Sequence, residues 1–271
     1  MATDGPDPEY DAKPALAETR RAQIAEMLRD AGSVTVAELE ERYGISAMTA
    51  RRDLTDLVHR GIARRTHGGA VLPTISAHED SFARRVETAT EAKLALANEA
   101  VGMLSPRETV FLDSSTSAYF VARRIVEEGM GVTIITNSIP IMELVASTAG
   151  PNVDLIGVGG ALRKLTSSYV GPFAVQTVLG HFADRAIFSV KGVTAEGLLT
   201  DADQLEAEVK RTMLSHAHET MLLLDDTKLD TRGSSVVGEI ANVSQVLAYG
   251  IDADGAARLQ APGVELIELA A

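Results

Sequence analysis

The order of apolar and polar positions divides the chain into two differently built parts. Between Thr19 and Ala31, the residues Ile24, Met27, Leu28 and Ala31 recur at helical spacing, and Gly32 supplies a stop. Ser33 to Val36 is rich in β-branched residues. Thr35 stands where a cap would open a second helix with Val36, Leu39 and Tyr43 on its inner face, and Gly44 closes it. Ser46 is placed to cap a third helix running from Ala47 to about Arg60, which Gly61 stops. Ile62 to Leu72 then gives two short strand-like runs separated by His67-Gly68-Gly69, a hairpin signal.

From Lys93 the period changes. A helix to Leu104 is followed by a strand Thr109 to Leu112, a helix Ser117 to Glu127, a strand Val132 to Thr136, a helix Pro140 to Ser147 and a strand Val153 to Val158. Aliphatic strands interleaved with helices predict a parallel, Rossmann-like α/β sheet covered on both faces. The expected organisation is a disordered tail over 1–18, an all-α winged helix-turn-helix over 19–73 and a linker over 74–91. An α/β domain then fills 92–255, and a carboxy-terminal segment, 256–271, packs on it.

Composition narrows the function. With 45% hydrophobic and 23% charged residues over 271 positions, the chain can bury a substantial core, which excludes disorder as its main state. There is no cysteine, so disulfides and thiolate metal sites are excluded and a reducing cytoplasm fits. His216 and His218 are read as i, i+2 on a helix, pointing apart, and no metal or other cofactor is expected. The start of the chain lacks a basic, then apolar, leader, and no run is long enough to cross a bilayer, so a cytoplasmic protein without a membrane partner is expected. The net charge of −13 argues against nucleic acid until its distribution is considered. Arg20 to Leu72 holds nine arginines against seven acids, and the remainder carries the whole of the negative excess.

Two short helices joined by a glycine-containing turn form a helix-turn-helix, whose second helix enters the major groove. On the helical wheel Ala50, Leu54 and Leu57 share the core face, Met48, Arg52 and Thr55 point outward, and Thr49 and Arg51 flank them. The expected DNA-contacting set is Arg20, Ser46, Met48, Thr49, Arg51, Arg52 and Thr55, with Arg64, Arg65, His67 and Gly68 from the hairpin acting as a wing on the sugar-phosphate backbone. In parallel sheets, ligands lie beyond the carboxyl ends of the strands. The segments there are small and polar: Asp113-Ser114-Ser115-Thr116-Ser117, then Thr136-Asn137-Ser138, then Gly159-Gly160 with Arg163. Hydroxyls and free backbone N–H groups at helix starts suit a small anionic ligand.

The run Ile45-Ser46-Ala47-Met48-Thr49-Ala50-Arg51-Arg52-Asp53-Leu54, followed by Arg65-Thr66-His67-Gly68-Gly69-Ala70, closely resembles the DNA-binding domain of the DeoR family of bacterial regulators. Asp113 to Ser117, Thr136-Asn137, Gly159-Gly160 with Arg163, Gly192, Glu206-Ala207 with Val209-Lys210, and Asp225-Asp226-Thr227-Lys228 resemble that family's carboxy-terminal domain. The likeness implies a fold related to pentose-phosphate isomerases and a phosphorylated sugar as effector. Thr116 and Ser117 would hold the phosphate, Asp113 and Asn137 would meet sugar hydroxyls, and Lys228 would supply positive charge. Lys191 and Gly192 belong to the same expected site. Three positions depart from the family pattern: Ser115 replaces a glycine, Ser117 a threonine, and Lys191 an acid. The last leaves open a more anionic effector such as a bisphosphate. The expected function is a repressor of sugar metabolism or transport genes, acting on operator DNA as a dimer or tetramer and released by the sugar phosphate. The alternatives are a sugar-phosphate isomerase with an appended DNA-binding module, and an α/β domain that serves only for oligomerisation.

Overall fold

The computed structural model describes residues 12–60, 62–71, 80–229 and 231–270. The expected stop at Gly61, the hairpin end at Leu72 and the first part of the linker lie outside them. The chain divides into two compact units between Ser81 and Phe82.

The first unit comprises α1 (Ala12–Ala31), β1 (Ser33–Thr35), α2 (Val36–Tyr43), α3 (Ala47–His59), β2 (Arg64–Arg65) and β3 (Gly69–Val71). Helix α1 starts well inside the stretch expected to be a loose tail. Pro14 falls in its first turn, where a missing N–H costs nothing. Thr35 and Glu38 form a reciprocal capping box on α2, Gly44 closes that helix at φ 61°, and Ser46 caps α3 through the Thr49 amide. Ile24, Leu28, Leu39, Ala50, Leu54 and Leu57 are buried in one cluster. Each such leucine contributes about 1.5–3 kcal/mol relative to an exposed one. The hairpin gains a third strand, in the order β1-β3-β2. A Cβ on Gly69 would lie 1.9 Å from the Val34 carbonyl oxygen, so only glycine lets β3 approach β1 there.

The second unit begins with α4 (Phe82–Glu87), which falls inside the expected linker, and α5 (Thr90–Gly102), the helix expected from Lys93, which starts in the last two linker positions. Phe82 and Val86 anchor α4, Phe82 edge-on to Tyr119 at 5.6 Å, but two apolar residues are too few to show a period in the sequence. The chain continues through β4 (Thr109–Leu112), α6 (Thr116–Glu128), β5 (Thr133–Thr136), α7 (Ile139–Thr148), β6 (Asp154–Gly157) and the hairpin β7 (Ala161–Arg163) with β8 (Ser168–Val170). Then come α8 (Pro172–Leu179), β9 (Ala183–Phe188), β10 (Gly192–Val193), β11 (Leu198–Asp201), α9 (Gln204–Ser215) and β12 (Ala217–Asp225). A 3-10 turn, Asp226–Lys228, leads to β13 (Ser235–Glu239), β14 (Gln245–Tyr249), α10 (Ala253–Leu259) and β15 (Glu265–Leu269).

Seven parallel strands lie in the order β15-β14-β12-β9-β4-β5-β6. Strand β15 pairs with β14 from Gln245↔Glu265 to Tyr249↔Leu269, so the carboxy-terminal segment is an edge of the sheet itself. Val110 and Leu112 pack with Ile134, Ile187 and Leu223 on one face, and Phe111 with Ile135 and Ala186 on the other, the alternation a doubly covered sheet requires. Strands β4, β5 and β6 spread one way from the centre, and β9, β12, β14 and β15 the other. The winding therefore reverses between β4 and β9, which opens a crevice at their carboxyl ends. His216 closes α9 and His218 lies in β12, so the pair is not on one helix as expected; His216 stacks on Phe182 with centroids 5.3 Å apart.

Candidate functional site

Helix α3 is oriented as the wheel requires. Ala50 and Leu54 are fully buried, while Met48, Arg51, Arg52 and Thr55 are exposed, Met48 by 79%. The Ser46 and Thr49 hydroxyls lie 3.1 Å apart at the helix start, and the Thr55 hydroxyl donates to the Arg51 carbonyl, so these three are partly committed to the helix itself. Arg64, Arg65, His67 and Gly68 are exposed on the hairpin, whose tip is held by Val36 N–H donating to the Gly68 carbonyl at 2.8 Å.

Arg20 is not on this face. Its Nε donates to Asp53 Oδ2 at 2.7 Å, and Arg21 Nε donates to Asp53 Oδ1 at 3.0 Å. Asp53 is buried on the inner side of α3, and the two arginines neutralise it at the α1–α3 seam. Arg60 is likewise engaged by Glu18 and Asp56. Arg20 was expected on the DNA side because nothing near it in the sequence supplies a partner.

At the carboxyl edge of the large sheet, the switch crevice is filled by an ion pair. Asp113, which follows β4, accepts from Lys210 Nζ of α9 and from the Ser189 amide that follows β9. Its other oxygen accepts from the Ser115 amide and hydroxyl. Lys210 also donates to the Ser189 carbonyl at 2.7 Å and lies 3.3 Å from Asp201. Burial works against its charge, but Asp113 and Asp201 more than compensate and raise its pKa above the ordinary lysine value. Asp113 is thus saturated by protein donors rather than offered to sugar hydroxyls, and Ser115 caps α6, its hydroxyl accepting from the Ala118 amide at 3.1 Å. The side chain at 115 therefore does structural service where the family pattern has glycine.

Beside this pair lies a cluster of hydroxyls around Glu206 of α9. Ser114 donates to Glu206 Oε2 at 2.7 Å, and Thr166 and Ser168 donate to Oε1 at 2.6 and 2.5 Å. Arg163 approaches Asp203 and Glu206 and donates to Thr166. Thr116 and Ser117 are buried in the first turn of α6. Thr136 accepts from the Ser138 amide at 3.1 Å. Asn137 donates to the Tyr169 carbonyl, while its Oδ1 and the Ser138 hydroxyl are buried without a hydrogen-bond partner. Gly159 and Gly160 are exposed; a Cβ at 160 would lie 2.7 Å from the Val170 carbonyl oxygen, so that glycine serves the packing of the loop on β8.

A cluster of cations completes the edge. Lys93 of α5 is buried and donates to the carbonyls of Arg85, at 2.5 Å, and of Thr88. Burial, with Lys228 and Arg85 nearby, pushes its pKa down to about 8 against the opposing pull of Asp225. Lys228 is lowered too, first by burial and then by Lys191 and Arg85. Arg85 Nε and Nη2 are buried without a hydrogen-bond partner. Arg85, Lys93, Asp225, Lys210 and Glu206 were absent from the expected site. A signal existed: Lys93 falls in line with Leu96, Ala97 and Ala100, and Glu206 and Lys210 with Met213, so charged residues occupy helix positions that periodicity assigns to the core.

An exposed arginine-bearing helix with a wing, and a separate sheet edge lined by buried hydroxyls and cations, define a DNA-binding transcription regulator that carries a sensor. The chain belongs to the DeoR family: residues 20–76 match the DeoR-like helix-turn-helix domain and residues 88–248 the DeoR C terminal sensor domain. It is 31% identical to the transcriptional repressor AccR of Agrobacterium fabrum, over 84% of this chain and 88% of that protein. It is also 31% identical to the HTH-type transcriptional repressor CsqR of Escherichia coli, over 92% and 94%. Among solved structures, a ribose 5-phosphate isomerase of Methanocaldococcus jannaschii aligns with 18% identity and a TM-score of 0.38, over 52% of this chain and 55% of that one. Among the described residues no helix is long and apolar enough to cross a membrane, and no group of three or more His, Cys, Asp or Glu could hold a metal ion.

Proposed function

We propose that the chain is a repressor that reads operator DNA with α3 and the wing and leaves it when a phosphorylated sugar occupies the carboxyl edge of the large sheet. The observation that carries the sensor reading is the convergence of Arg85, Lys93 and Lys228 on one place, with buried guanidinium nitrogens that nothing in the described protein satisfies. A group of cations taken out of water with one carboxylate, Asp225, acting on both Lys93 and Lys228 is costly by itself and is relieved by an anion. The phosphate sits there, and the neighbouring polar loops, with the orphaned Asn137 Oδ1 and Ser138 hydroxyl, take the sugar. On the DNA side, Arg51 and Arg52 meet phosphates or guanine edges, and Met48 offers an apolar contact to a thymine methyl.

The isomerase reading has less support. Such a reaction needs a carboxylate free to take a proton from carbon, whereas Glu206 already accepts three hydroxyl hydrogen bonds and Asp113 is paired with Lys210. We read the chain as non-enzymatic and as at least a dimer, because operator half-sites pair with two-fold-related readers. The second copy docks on α8, where Phe173 and Leu179 are exposed with Phe182 just beyond, inside nineteen consecutive residues, 165–183, that hold no Asp, Glu, Lys or Arg. Copies that each carry −13 meet least repulsion on a face without charge.

For release, the ligand must bind the DNA-free state more tightly than the DNA-bound one. The test is fluorescence anisotropy of the purified chain on the DNA upstream of its own gene, titrated with sugar phosphates. Release by a phosphosugar but not by the free sugar supports the reading; DNA affinity indifferent to every phosphosugar ends it.

A further inference from the structure

The β7–β8 hairpin touches both the polar loops of the candidate site and the point where the chain enters the second unit. Its strands pair from Ala161↔Val170 to Arg163↔Ser168, and residues 164–167 form the turn. On one side it is laced to the loop after β5. The Tyr169 amide donates to the Asn137 carbonyl at 2.9 Å, Asn137 Nδ2 donates to the Tyr169 carbonyl at 2.9 Å, and the Ile139 amide donates to the Ser167 carbonyl at 2.9 Å. Ser167 stands at φ 50°, which residues with a side chain rarely adopt, and the contact with Ile139 helps to hold it there. On a second side Thr166 and Ser168, both buried, fasten the hairpin to Glu206 of α9.

The third attachment is Phe82. The first amides of a helix have no partner within it. For α4 the hairpin supplies one, because the Phe82 amide donates to the carbonyl of Leu165, in the turn, at 2.8 Å. Phe82 is the first residue of the second unit, so this bond holds the chain where it passes from one unit to the other. Helix α4 is only six residues long, and Ala89, at φ 47°, separates it from α5. Its far end is tied by Lys93, which donates to the Arg85 and Thr88 carbonyls. Residues of the candidate site therefore grip α4 at both ends.

The loop to which the hairpin is laced also carries the unsatisfied Asn137 Oδ1 and Ser138 hydroxyl. With Asn137 Nδ2 committed to the Tyr169 carbonyl, Oδ1 is left as an acceptor without a donor. A ligand hydroxyl that satisfies these atoms stiffens the loop, and the shared hydrogen bonds carry that stiffening into the hairpin.

We infer that the β7–β8 hairpin couples the effector to the connection between the units: occupancy at Asn137 and Ser138 firms the hairpin, whose Leu165 carbonyl then holds the start of α4 more tightly. This rests on the reading that a phosphorylated sugar occupies the carboxyl edge, and it adds the route by which occupancy reaches the chain leading to the DNA reader. Phe82 is a positioning residue that acts through this bond.

The experiment uses the full-length chain and a panel of triose, pentose and hexose monophosphates, from which the compound that most weakens binding to the DNA upstream of its gene is kept. Operator affinity is measured by fluorescence anisotropy with and without that compound, and the compound's own affinity by calorimetry without DNA, for the wild type, Phe82→Pro and Phe82→Leu. Proline lacks the N–H yet is tolerated in a first helical turn, whereas leucine keeps both the N–H and an apolar side chain. The phosphosugar is expected to weaken operator binding about tenfold or more in the wild type, about fivefold or more in Phe82→Leu, and about threefold or less in Phe82→Pro. Its own dissociation constant should stay within about threefold across all three. A second measurement needs no variant: amide hydrogen exchange of the wild type over residues 82–87 should slow about threefold or more when the phosphosugar binds. A full response in Phe82→Pro, an equally small one in Phe82→Leu, lost phosphosugar affinity in Phe82→Pro, or unaltered exchange over 82–87 overturns the coupling while leaving the sensor reading standing. Failure of every phosphosugar to weaken operator binding overturns both.

Discussion

Both units of the chain gather cations, and they are built in opposite ways. On α3 the arginines are exposed and hydrated, and the one buried acid, Asp53, is matched by Arg20 and Arg21 at the rim. In the sensor unit Lys93 and Lys210 are buried, and only Lys210 has carboxylate partners to hold it charged. Duplex DNA is a long polyanion that brings many charges and releases counterions, so solvated arginines suffice and binding is salt-dependent. A small ligand has one or two charges and must be enclosed to be held. Under the proposed reading the enclosing cations repel each other until the anion arrives, and occupancy then becomes a sizeable free-energy change inside that unit.

The contrast can be broken at its strongest point first. Lys210→Met strands the Asp113 carboxylate in the switch crevice and should destabilise the sensor unit by about 3–5 kcal/mol. Scanning calorimetry checks this; an unmoved sensor transition would mean that the pair carries no structural weight. Next, Arg51→Ala with Arg52→Ala should weaken operator binding about a hundredfold, or about 2.7 kcal/mol, and flatten its salt dependence by about one to two in log–log slope, while the melting curve stays put. Retained affinity with the same slope would remove α3 as the reader. Smaller is Phe173→Asp, expected to raise the dissociation constant of the dimer at least tenfold in analytical ultracentrifugation without altering the fold, since Phe173 is 79% exposed. An unchanged association constant moves the interface elsewhere.

The smallest effect is a fraction of a proton. With its pKa lowered to about 8, Lys93 is largely neutral at pH 8.5–9, and a bound anion pulls that pKa back toward the ordinary lysine value. Effector binding at that pH should therefore take up protons, and affinity should fall as pH rises through about 8. Titrations in two buffers of different ionisation heat read the uptake directly; zero uptake would place the anion away from Lys93. The same shift makes folding less favourable below about pH 8, where the buried ammonium must stay charged, and the penalty fades between there and the unfolded value, as the unfolded chain also loses its proton.

Much of this was legible in the residues. The caps Thr35 and Ser46, the stop Gly44 and the outward face of α3 follow from local rules, because each depends on neighbours within four positions. The small polar loops after β4 and β5 were readable for the same reason. Partnerships across the chain were not. Asp113 looked like a hydroxyl-binding residue until Lys210, 97 positions away, was brought against it, and Arg20 looked free until α1 packed on α3. Lys93 and Arg85 sat in segments read as the start of a helix and a linker, with nothing local to show that Lys228 lies beside them.

The sequence by itself determined the two-part construction, the helical faces, the parallel sheet and the family likeness, because hydrophobic periodicity and capping chemistry are written within a few residues. Only the tertiary structure decided which charges are spent on the fold and which remain for a ligand. That depends on where the sheet winding reverses, and on which side chains long-range packing then takes out of water together.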